Sequence, residues 1–118
     1  MPERKVVAKE LAEIFKVMAH PDRIRLIEEL AGEEKDVKTL LNDLELPGPR
    51  VSQHLGLLRA HRIVEERRAG RHHVYRLIKP NLAHWIINGL DFIEGRLETV
   101  NKSTIANARE SWTSKPTT

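Results

Sequence analysis

Two prolines flank a glycine at residues 47–49, inside the run "LNDLELPGPRVSQHLGLLR". Proline in a helix interior removes a hydrogen-bond donor and clashes with the preceding turn, at a cost of about 3 kcal/mol. One helix must therefore end by Leu46. Proline is well tolerated in a first turn, so a second helix begins around Pro49 and runs to about Arg62. Apolar residues at helical spacing lie on both sides of the break: Val37, Leu40, Leu41 and Leu44 before it, and Val51, Leu55 and Leu58 after it. Two short amphipathic helices thus meet at a tight corner.

The remaining elements follow from the same periodicity. Val7, Leu11, Ile14, Phe15 and Met18 predict a first helix from about Glu3 to Met18. Pro21 and Asp22 suit the start of a second, which Ile24, Leu26, Ile27 and Leu30 continue and Gly32 stops. His20, just before Pro21, reads as a local cap or packing residue. After the corner helix, Ile63 and Val64 open a strand, Gly70 marks a turn, and His73, Tyr75 and Leu77 alternate along a return strand. His72 and His73 then point to opposite faces, with His73 packing. Pro80 opens a last long helix reaching about Val100. The expected fold is mainly α with a small β-hairpin, in the order ααααββα, a winged helix-turn-helix. Residues 1–105 form the domain, and residues 106–118 are a polar tail expected to fray, apart from Trp112, which has a ring to dock.

The corner helix carries an uncommon polar mixture. With Val51 set toward the core, Gln53 points nearly opposite, flanked by Arg50, Ser52, His54 and Gly56. Glutamine and arginine can make two-pronged contacts to adenine and guanine, and serine serves bases or phosphates. Net charge is only +3, yet residues 50–76 hold +5, all of the cations being arginine. Arginine's planar fork suits phosphates and base edges. Arg67, Arg68 and Arg71 surround the Gly70 turn, with His72 beside them, which suits contact with phosphates or a narrow minor groove. A solvated charged face would explain the charge alone equally well.

The stretches "MAHPDRIRLIEEL" and "PRVSQHLGLLRAHRIVEERRAGRHHVYRL" resemble the ArsR/SmtB family of bacterial winged-helix repressors, over roughly Leu11 to Leu77. The resemblance implies a homodimer whose first and last helices pair across a two-fold axis, and release from operator DNA by an inducer. It assigns DNA contact to Arg50, Ser52, Gln53 and His54 in the reading helix, and to Arg67, Arg68, Gly70 and Arg71 in the wing. The apolar stripes offer Val6, Val7 and Leu11, with Leu82, Trp85, Ile86, Leu90, Ile93 and Leu97, as the dimer seam.

Several features depart from the family pattern. The chain has no cysteine, which excludes disulfides, thiolate metal sites and thiol redox sensing. The last helix holds one histidine, His84, so the family's paired-helix metal site has no second histidine to complete it. No cofactor is expected. A small organic inducer, an oxygen- and nitrogen-ligated metal in another place, or no signal at all remain open. Pro47 stands where the family has a Ser or Thr cap, which weakens the start of the reading helix. No nucleophile elbow or phosphate-binding glycine loop is present, so an enzyme is not expected. No apolar run approaches the ~18 residues of a membrane span, and no signal-peptide core follows the start, so a cytoplasmic protein is expected. The reading is a homodimeric regulator of double-stranded operator DNA, a repressor released by a non-thiol signal. Its rivals are a constitutive regulator without inducer, and a module whose basic hairpin meets RNA or an acidic protein.

Overall fold

A computed structural model describes residues 2–96 and 102–113. Helix α1 spans Pro2–Met18 and α2 spans Pro21–Leu30. A two-residue strand β1, Lys35–Asp36, leads directly into α3, Val37–Leu44. Helix α4 covers Gly48–Ala60, strands β2 and β3 cover Val64–Ala69 and His72–Leu77, and a 3-10 turn at Pro80–Leu82 enters α5, Ala83–Glu94. Helix α6 spans Lys102–Thr113.

Local chemistry sets most of these boundaries. His20 caps α2, its Nδ1 accepting from the Asp22 N–H at 3.0 Å, with Pro21 in the first turn. Asp36 caps α3 by accepting from the Thr39 N–H at 2.8 Å. The corner between α3 and α4 turns at Glu45, held in the left-handed region at φ 54°. Helix α4 starts after Pro47 with no side-chain cap, as its sequence implies. It ends in a Schellman motif, where the Ile63 N–H reaches the Leu58 carbonyl at 2.9 Å and the Arg62 N–H the Arg59 carbonyl at 3.0 Å.

The core sits where α2, α3 and α4 meet the sheet. Leu26, Ile27, Leu40 and Leu58 are fully buried, and Leu30, Leu44, Val51, Leu55, Val64, Tyr75 and Leu77 close around them. The sheet is antiparallel in the order β1-β3-β2. Its hairpin loop is two residues, Gly70 and Arg71, with positive φ only at Gly70. That is the pattern of a II′ turn, whose first position favours glycine.

Three expectations of element order change. Strand β1 is added, because Lys35 and Asp36 pair with Tyr75 and Val74 across a distance in sequence that no local pattern reveals. The last helix does not run unbroken to Val100: α5 ends at Glu94, and a turn at Gly95 follows. Residues 106–113, expected to fray, belong to α6. Its apolar residues Ile105 and Trp112 are buried, and Arg109 pairs with Asp91 at 2.8 Å and Glu94 at 3.1 Å on α5. Ser111 Oγ also donates to Glu28 Oε1 at 3.1 Å, tying α6 to α2. Leu97 and Val100 lie outside the described residues. Among those described, no helix is long and apolar enough to cross a membrane.

Candidate nucleic-acid interface

Helix α4 buries Val51, Leu55 and Leu58 and exposes Arg50, Ser52, Gln53 and Gly56. His54 is the correction. It was placed on the outer flank, but its ring points inward and is only 8% exposed. On a helical wheel His54 lies about 40° from Leu58, at the margin of the buried stripe, where α2 covers it. The ring lies 4.5 Å from the His20 ring, centre to centre, with Nδ1 3.5 Å from Arg23 Nη1 and Nε2 3.6 Å from Asp22 Oδ2. Burial chiefly pushes the His54 pKa down, and the neighbouring His20 and Arg23 add to the shift, while Asp22 opposes it. Arg50 reaches back to Asp22 at 4.0 Å but keeps its guanidinium more than half exposed.

The hairpin divides its arginines by strand face. Directly opposed residues share a face, and the β2–β3 register pairs Val64 with Leu77, Glu66 with Tyr75 and Arg68 with His73. That face looks toward α4, where Arg59 Nη1 lies 3.7 Å from Glu66 Oε1. Arg68 therefore extends on the side of the reading helix. Arg67 is on the other face, where Glu34 clasps it through two hydrogen bonds and has its own carboxyl pulled below the usual range. Arg76, also there, pairs with Glu65. Arg68 and Arg71 have no ion pair among the described residues. Gly70 and Arg71 form the exposed tip.

Both wing histidines are exposed, on opposite faces of the hairpin. His72 is exposed but faces β1, with Nδ1 3.4 Å from Asp36 Oδ2, on the face opposite α4. His73 does not pack; it is exposed on the α4 face, 3.5 Å from Glu66.

The seam residues also divide. Val6, Val7 and Leu11 are exposed along α1, with Phe15 in ring contact with Trp85 of α5 at 5.4 Å. Of the 17 residues of α1, only Val17 and Met18 are buried, and Val6, Val7 and Leu11 are left exposed among the described residues. Leu82 and Leu90, by contrast, are 8% exposed, buried inside the subunit rather than at a seam. Helix α6 packs beside α5 and buries Ile105 along with Trp112, the one tail residue expected to dock. Ile86 and Ile93 are half-buried, and Leu97 lies outside the described residues.

The cluster of His20, Asp22, Arg23 and His54 was missed as a unit. His20 and His54 are 34 residues apart in sequence. Only the packing of α2 against α4 joins them.

A family model for "Bacterial regulatory protein, arsR family" matches residues 20–66, from the cap of α2 to the middle of β2. The chain is 33% identical over 89 residues to the HTH-type transcriptional repressor SmtB of Mycobacterium tuberculosis, covering 75% of this chain and 66% of that repressor's length. It is 39% identical over 82 residues to the HTH-type transcriptional regulator Rv0081 of the same organism, covering 69% of this chain and 72% of that one. The crystal structure of the transcriptional repressor BigR from Xylella fastidiosa superposes with a TM-score of 0.67 at 34% identity, covering 78% of this chain and 93% of that one. These relatives are transcriptional regulators, and their winged helix matches the α2–α3–α4–hairpin arrangement found here. The chain belongs to the ArsR family of winged helix-turn-helix regulatory proteins.

Proposed function

We propose that the protein is a homodimeric, sequence-specific DNA-binding repressor acting on chromosomal DNA in the cytoplasm. One observation carries the reading. Arg50, Ser52 and Gln53 share the open side of a helix whose other side is locked into the core, and Arg68 and Arg71 flank that side from the wing. Helix α4 enters the major groove with its N-terminal residues toward base edges. Gln53 and Arg50 supply the selective contacts, and Ser52 takes a base or a phosphate. Arg68, Arg71 and the Gly70 tip hold the sugar–phosphate backbone beside it.

The uncovered stripe of α1 supports the homodimer. Apolar faces of this kind mark interaction surfaces, and a second copy would cover Val6, Val7, Leu11, Phe15 and Trp85 together. Two reading helices then meet half-sites about one turn of DNA apart. A signal that alters dimer geometry changes that spacing and releases the operator. A coupling of about 1–3 kcal/mol gives a 5- to 150-fold response.

The test starts from duplexes that the protein enriches from a random pool. Arg50→Ala and Gln53→Ala are each expected to lower the preference for the enriched site over random DNA by about 1–3 kcal/mol. An unchanged preference in both variants would remove α4 as the reading element.

A further inference from the structure

We propose that His20, Asp22 and His54 form a binding site for zinc or a similar late first-row divalent ion, joining the start of α2 to the reading helix. Their ligand atoms all lie within 4.8 Å of one another, and His54 Nε2 is 3.6 Å from Asp22 Oδ2. In a tetrahedral zinc centre, bonds of about 2.0–2.2 Å place donors roughly 3.3 Å apart. Small side-chain rotations therefore bring the three onto one ion. Three protein ligands leave a fourth position for water, and His20 and Asp22 are partly exposed, the Asp22 side chain at 16%, so solvent and the ion can reach it.

The state of His54 points to a missing partner independently of this spacing. The residue is more than nine-tenths buried, yet neither ring nitrogen makes a good hydrogen bond. Its polar neighbours stand at 3.5 and 3.6 Å, beyond the usual 2.7–3.2 Å for an N–H donor. A buried polar group left so loosely satisfied calls for a water or an ion.

The donor set selects the ion. Two imidazoles and one carboxylate suit zinc, nickel, cobalt or copper, whereas calcium and magnesium take oxygen ligands. On binding, the ion replaces the proton that His54 Nε2 would direct at Asp22. The Asp22 charge offsets part of the repulsion from Arg23 and Arg50. Arg50 is more than half exposed and free to swing outward as Asp22 turns to the ion. The site uses none of the residues in the family's paired-helix position on α5.

The test measures zinc binding to the untagged full-length chain after chelator dialysis, with cobalt(II) absorption as a second readout. His20→Asn keeps a strong helix cap while removing the imidazole, and Asp22→Asn removes the charge. Losing even an outer-shell partner of a metal ligand costs 10- to 100-fold in affinity, so each variant is expected to bind zinc about 100-fold more weakly. His73→Gln, in the wing beside Glu66, is expected to bind like the parent. Circular dichroism checks that each variant is folded. Absence of zinc binding by the parent, or parent-like affinity in either His20→Asn or Asp22→Asn, overturns the site. Neither measurement involves DNA, so its failure is distinct from failure of the repressor reading.

Discussion

The Tyr75 hydroxyl donates to Glu66 Oε2 at 2.6 Å, linking two residues directly opposed across the hairpin. Burial, then the adjacent carboxylate, pushes the Tyr75 pKa up to about 12. The same hydroxyl, with His73 beside it, holds the Glu66 carboxyl below its usual range. Tyr75's contribution is complete below its unfolded value near 10 and is lost as pH rises toward 12. Glu66's contribution is complete above about 4.5 and is lost as pH falls through its lowered folded value. Tyr75→Phe is expected to cost about 1 kcal/mol at neutral pH and to flatten both limbs of the stability profile. Urea unfolding across the pH range checks this. A parent-like profile in the variant refutes it.

Arg62 occupies the left-handed position that ends α4, at φ 57°. A side chain there is strained by roughly 1–2 kcal/mol, part of which glycine's extra chain entropy takes back. Arg62→Gly is therefore expected to stabilise the fold by about 0.5–1 kcal/mol. The urea midpoint should rise with no change in slope.

The wing arginines are unequal. Arg68 and Arg71 have no ion pair among the described residues, while Arg67 is clasped by Glu34. On the DNA-binding reading, Arg68→Ala and Arg71→Ala each lower the salt slope of binding by about 1 and weaken all sequences alike. Arg67→Ala is expected to change the slope less. Glu34→Gln, which releases Arg67, is expected to steepen it. Titrations of random duplex at several salt concentrations distinguish these cases.

Helix α1 supplies the test of the dimer. Val7 is 55% exposed in the subunit, so Val7→Glu places a charge in water if the protein is a monomer. At a subunit seam that charge is buried without a partner, at a cost of several kcal/mol. Each 1.4 kcal/mol is tenfold, so dimer dissociation is expected to strengthen by about two orders of magnitude or more. Sedimentation equilibrium reads it directly. Equal association of parent and variant removes α1 from the seam.

The elements legible beforehand were those written in short-range chemistry. The Pro47–Pro49 break, the His20 cap, the Val51–Leu55–Leu58 stripe and the Gly70 turn each depend on residues within a few positions of one another, and each stands where the sequence puts it. Helical spacing also exposes Arg50, Ser52 and Gln53 as a set.

Tertiary structure decided everything that depends on which neighbour arrives. His54 stands at the margin of the α4 stripe, and the packing of α2 covers that margin and draws its ring toward His20 and Asp22. Arg67 and Arg68 are adjacent in sequence and alike in chemistry, yet the strand pleat turns one to Glu34 and leaves the other beside the reading helix. Composition marks residues 106–113 as a tail, but α6 buries Trp112 because α2 and α5 offer it a surface. Periodicity and capping are local and can be read along the chain. Burial and charge pairing are pairwise across space, and exist only once the chain has brought distant residues together.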